Sequence, residues 1–109
     1  MNRTLFLYKL IPSRPTFPAD ITERERGVMR HHAAYWTGLL ERGHAVVFGQ
    51  VAEPSGAWGM AVVEADSAAQ VQAFSVDDPA VIDGLASVEV HPLPVATARP
   101  HQPGGRLPA

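Results

Sequence analysis

The chain has 109 residues, the length of one domain with a modest core. Its residues are 46% hydrophobic and 18% charged, a balance that reads as globular rather than disordered. A formal net charge of -2 leaves no basic face to neutralise phosphates, and the lack of cysteine excludes disulfide frameworks and thiolate metal sites.

The opening segment, MNRTLFLYKLIP, holds an apolar run cut by Lys9. That run is too short for a signal-peptide core, and no small-residue cleavage site follows it. No apolar stretch approaches the roughly 18 residues of a membrane span, so a soluble, cytoplasmic protein is expected. Residues 4–11, TLFLYKLI, are rich in aromatic and branched side chains and stop at Pro12, as a strand does. Residues 12–20, PSRPTFPAD, carry three prolines and must form a loop. Thr22 and Glu25 then have the spacing of a capping box, which predicts a helix starting near 22 or 23. Gly43 is its natural stop. HAVVFGQVA and WGMAVVEA are two strand-like runs joined through the turn EPSG, with Pro54 at a favoured turn position. Asp66 or Ser67 opens a second helix through SAAQVQAF, VDDPAVIDG breaks it, and LASVEVHPLPV is the last strand. The end of the chain, ATARPHQPGGRLPA, has no periodicity and would be mobile unless pinned against a neighbour. The division is one α+β domain over 1–97 and a Pro/Gly-rich tail over 98–109.

Strand, helix, strand, strand, helix, strand is the ferredoxin-like βαββαβ order: one antiparallel four-stranded sheet with two helices on one face. The strands are nevertheless apolar on both sides. In AVVFGQV and GMAVV a helix-covered face accounts only for alternate residues. The bare face needs a cover, and the economical one is a second copy of the chain. A homodimer packed sheet to sheet, with a cavity between or beside the sheets, is the expected assembly.

RHHAAYW, residues 30–36, places two histidines side by side in the first helix. At about 100° per residue, Met29, His32, Trp36, Leu39, Leu40 and Gly43 share one arc that faces the sheet. His32 lies near the centre of that arc, whereas His31 points away with Gly38 and Arg42. Two readings of His32 follow. It can be a core histidine stacked on Trp36 and bonded to a carbonyl. Alternatively it is a general acid or base, which needs a carboxylate to fix its tautomer and a cavity for a substrate. Asp77 and Asp78 are the candidate carboxylates. Asp78, ahead of Pro79, also has the pattern of an N-cap, and one carboxylate can do both.

Other chemistry finds less support. Adjacent His31 and His32 diverge on a helix and cannot share one ion. His44, His91 and His101 are scattered without ligand spacing, so no metal and no other cofactor is expected. There is no phosphate-binding glycine loop, and Ser55, Ser75 and Ser87 sit in ordinary turn, helix-end and strand settings.

The order and spacing of several features resemble one family. They are a helix histidine eleven residues before a glycine (His32 to Gly43), a strand with an internal glycine (Gly49), and Asp78-Pro79 with Gly84 five residues on. A last strand ending in Val90-His91-Pro92 completes the pattern. Together they look like the YCII-related family of small bacterial proteins, over about residues 4–95. The resemblance implies a ferredoxin-like fold in dimeric α/β-barrel form. It also implies that His32 and Asp78 form a dyad beside a pocket. The aromatic residues Tyr8, Phe48, Trp58 and Phe74 are most simply core or dimer-interface residues, with some of them lining a pocket; Tyr8, Trp36, Phe48 and Gly49 are the candidate substrate contacts. Characterised members include a dehydrochlorinase-type lyase, and muconolactone isomerases share the superfold. The chain departs from the family pattern at Gln50, where proline is common, and in its short EPSG connection.

Three functions compete. The first is a cofactor-independent lyase or isomerase moving a proton on a small ring or keto substrate through His32 and Asp78. The second is a non-catalytic small-molecule-binding dimer, and the third an accessory dimer in which His32 only packs. A cofactor-free oxygenase on the same superfold is a further enzymatic alternative, favoured by an aromatic-lined pocket with no carboxylate at His32.

Overall fold

The computed structural model describes residues 4–99. In chain order the elements are β1 (Thr4–Pro12), α1 (Glu23–Glu41), β2 (Ala45–Val51) and β3 (Trp58–Ala65). They continue with α2 (Ala68–Phe74), a single 3-10 turn at Ser75–Asp77, α3 (Pro79–Ile82) and β4 (Ala86–Leu93). The four strands form one antiparallel sheet in the order β2-β3-β1-β4, as the ferredoxin-like order requires. Most of the tail expected over 98–109 lies outside the described residues.

Local sequence explains the helix ends. The Thr22 side chain accepts from the Glu25 backbone N–H while the Glu25 carboxylate accepts from the Thr22 N–H, so α1 starts on a reciprocal cap. At its other end Gly43 takes φ +82, the left-handed conformation that lets the chain leave the helix. Ser67 caps α2 by accepting from Gln70 N–H. The segment expected to break the second helix, with Asp78-Pro79 in the pattern of a cap, is itself ordered. It folds into the 3-10 turn and then α3, whose first residue is Pro79 and whose cap is Asp78.

Alternation along the strands sorts the sheet into two faces. Phe6, Tyr8 and Leu10 of β1 and Ala61, Val63 and Ala65 of β3 are buried beneath the helices. They pack with Trp36 and Leu39 of α1, Val71 of α2 and Ala80 of α3 in one continuous core. Gly59 belongs to this packing: a Cβ there would lie 3.2 Å from the Cβ of Leu10. The opposite face presents Leu5, Leu7, Ile11, Val47 and Val62, each only partly buried. Apolar residues therefore occupy both faces of the sheet, and the helices cover one of them. β2 carries a bulge between Ala45 and Val47, which shifts its later residues so that Phe48 and Gln50 come opposite Ala61 and Gly59 on the helix side.

Candidate active site

His32 and Asp78 come together although 46 residues separate them. His32 rides on α1, four residues before Trp36, so the two side chains rise from the same face of the helix. Asp78 is held by its place at the N-terminus of α3, where Oδ1 accepts from Ala80 N–H at 3.1 Å. The same Oδ1 meets His32 Nδ1 at 2.8 Å. The carboxylate thus serves as a helix cap and as the histidine's partner at once.

The other oxygen is also fully engaged. Oδ2 accepts from the Tyr8 hydroxyl at 2.9 Å and from the Trp36 indole N–H at 2.9 Å. Asp78 is 0% exposed, so these four donors are what replaces water around its charge. Burial by itself would raise its pKa, but the hydrogen bonds from His32, Trp36 and Tyr8, with the charge of His32, hold it below the ordinary carboxylate range. Tyr8 responds in the opposite sense. Burial first, and then the neighbouring Asp78 charge, push its phenol well above the usual value, so it stays a neutral donor.

Because an ionised carboxylate can only accept, the His32 proton shared with Asp78 sits on Nδ1. Nε2 then has no partner among the described residues, and the ring lines a cavity of about 380 Å³. Tyr8, Trp36 and Phe48 line it too, together with the Gly49 backbone, where a Cβ would meet nothing within 4 Å. All four candidate contacts therefore border one cavity. The tilted Tyr8 and Trp36 rings lie 4.6 Å apart, each bonded to Asp78 of the dyad.

Some of the site was not anticipated. The donation of Tyr8 and Trp36 to Asp78 joins residues 70 and 42 positions apart, and no local pattern announces it. One wall comes from the proline-rich loop, where Phe17, Pro18 and Ile21 face the cavity and Phe17 is buried. A single large aromatic among three prolines was the available signal. That loop is tied down by Arg14, which makes two 2.7 Å hydrogen bonds to the Glu25 carboxylate and a 2.9 Å bond to Asp20. The Arg14 and Thr22 hydrogen bonds lower the Glu25 pKa to about 2.

The remaining histidines stand apart. His31 is exposed, His44 packs its ring against Phe74, and His91 pairs with Glu89 on the strand surface. His101 lies outside the described residues. Among the described residues no three His, Cys, Asp or Glu side chains converge as a metal site, and no helix is long and apolar enough to cross a membrane.

Among curated proteins, none matches the chain. A family model, the YCII-related domain, matches residues 8–94, a span that runs from Tyr8 through the dyad to the end of β4. The chain belongs to the YCII-related domain family.

Proposed function

We propose that this protein is a cofactor-independent lyase or isomerase in which His32 moves a proton on a small ring or keto substrate. The observation that carries the reading is the 2.8 Å contact between His32 Nδ1 and a buried, fully solvated-by-protein Asp78, with the rest of the ring on the cavity. Asp78 fixes the tautomer and stabilises the imidazolium that forms when Nε2 takes a proton. The proton comes from a carbon next to a carbonyl or hydroxyl. His32 returns it at another carbon in an isomerisation, or the electron pair expels a leaving group in an elimination. Asp78 touches no substrate and is a positioning residue.

A homodimer is part of the proposal. Leu5, Leu7, Ile11, Val47 and Val62 form an apolar sheet face without helices, and a second copy offers the same face in return. A second reading, a binding module without turnover, is favoured by the mostly apolar lining of the cavity.

Proton abstraction is detectable before the natural substrate is known. Ring ketones incubated with the protein in deuterated water exchange the hydrogen next to the carbonyl, and mass spectrometry counts it. The wild type is expected to accelerate exchange, and His32→Ala to lose about 100- to 10,000-fold of that rate. Equal exchange by wild type and His32→Ala on every responding ketone would overturn the catalytic reading in favour of the binding module.

A further inference from the structure

The cavity wall carries a chemical preference. Among the described residues that line it there is no lysine, arginine, aspartate or glutamate. The Arg14 guanidinium, 5.5 Å from the centroid of the lining Phe17 ring, is already divided between Glu25 and Asp20, and Lys9 lies over the Trp58 ring at 4.7 Å. A substrate carboxylate would therefore leave water without meeting an unspent positive charge, at considerable cost. Protonated His32 does not supply one, because Asp78 at 2.8 Å already balances it. A cation fares no better: Asp78 is 0% exposed and its oxygens accept from four donors, and the Glu53 carboxylate, outside the lining, accepts from the Trp58 indole and the Ser55 hydroxyl.

One neutral polar side chain remains. Gln50 borders the cavity, and the register after the β2 bulge puts it opposite Gly59 on the same face as Phe48. Its amide makes no hydrogen bond among the described residues, unlike the Tyr8 hydroxyl and the Trp36 indole, which are both committed to Asp78. The Gln50 amide can donate to a carbonyl oxygen or accept from a hydroxyl.

We propose that the cavity selects an uncharged, largely apolar ring compound of roughly one to two rings, whose carbonyl or hydroxyl oxygen is bound by Gln50. This rests on the reading of His32 as the proton carrier for the choice of which carbon reacts, but not for the binding preference itself. Gln50 is thus a specificity-determining residue: it anchors the oxygen while the apolar body of the ring lies among Phe17, Trp36 and Phe48.

The test is a matched set on one skeleton: indanone, indane, indane carboxylate and aminoindane, titrated against the full chain by tryptophan fluorescence. Trp36 and Trp58 both line the cavity and report its occupancy. Indanone is expected to bind about tenfold or more tightly than either charged analogue. Gln50→Leu is expected to weaken indanone about five- to tenfold, the loss of one net hydrogen bond, while leaving indane unchanged or slightly tighter. Carboxylate or amine binding equal to indanone, an indanone affinity indifferent to Gln50→Leu, or no indanone binding up to millimolar concentrations would each overturn the proposal. Repeating the series with His32→Ala separates the two readings. If only the catalytic role of His32 is wrong, wild type and His32→Ala exchange deuterium equally while the order of affinities stands; if the binding preference is wrong, the order of affinities is lost whatever the exchange shows.

Discussion

Tyr8→Phe removes one oxygen and keeps the ring, so it isolates a single donor to the buried Asp78 carboxylate. The Tyr8 ring is 1% exposed and stays packed on Trp36, which limits any change to the lost O–H. A hydrogen bond to a charged group contributes about 1.5–3 kcal/mol, and Asp78 would fall from four donors to three with no water able to replace the fourth. Urea unfolding near pH 7 should therefore show a loss of about 1.5–3 kcal/mol. The pH dependence follows from the direction of the Asp78 shift. A carboxyl whose folded pKa is depressed contributes stability above its unfolded value, near 3.8, and loses it as pH falls through the folded value. Tyr8→Phe raises the folded pKa toward normal, so wild type and variant differ most above that range. The gap should narrow to about 0.5–1.5 kcal/mol, the worth of a neutral hydrogen bond, once Asp78 is protonated in both. A loss below about 0.5 kcal/mol, or one independent of pH, would refute the view that Tyr8 holds a buried anion in place.

Glu25→Gln should destabilise the fold at neutral pH and release the proline-rich loop. Its effect should fade as pH falls from the ordinary value of 4.5 toward the folded value of about 2, because protonation of wild-type Glu25 removes the same charge; thermal melts across that range check it. Leu7→Lys, on the sheet face without helices, should halve the mass seen by sedimentation velocity while far-ultraviolet dichroism stays unchanged. A wild type that already sediments as a single chain at tens of micromolar, by order of magnitude, would remove the dimer from the proposal.

How much of this was legible in the sequence depends on how local each signal is. The capping box of Thr22 and Glu25, the Gly43 stop and the Asp78-Pro79 start of α3 are fixed by neighbours within a few residues, and all three read directly. The inward face of His32 followed from helical periodicity, and the structure places it on the cavity with His31 outside. Partner choice was not legible in the same way. Bare periodicity left His32 open between a carbonyl and a carboxylate; only the family resemblance singled out Asp78. Tyr8 and Trp36 were read as core or pocket residues, Trp36 also as a stacking partner of His32, and not as donors to Asp78, since a hydrogen bond across 70 or 42 residues leaves no trace in spacing. The β2 bulge escaped for a related reason. A one-residue insertion in the ladder is set by what the facing strand needs, and it decides that Gln50 and Phe48 point toward the helices.

Asp78 Oδ1 is shared between the His32 ring and the Ala80 backbone amide, and this sharing gives the protein an internal indicator. When His32 gains a proton, its bond to Oδ1 strengthens and draws electron density from the acceptor that Ala80 N–H also uses. The Ala80 amide resonance should then move with every proton His32 takes up, in the absence of any substrate. A spectrometer watching one backbone N–H, on a helix of four residues, reads the state of the His32–Asp78 bond as a ligand fills the cavity.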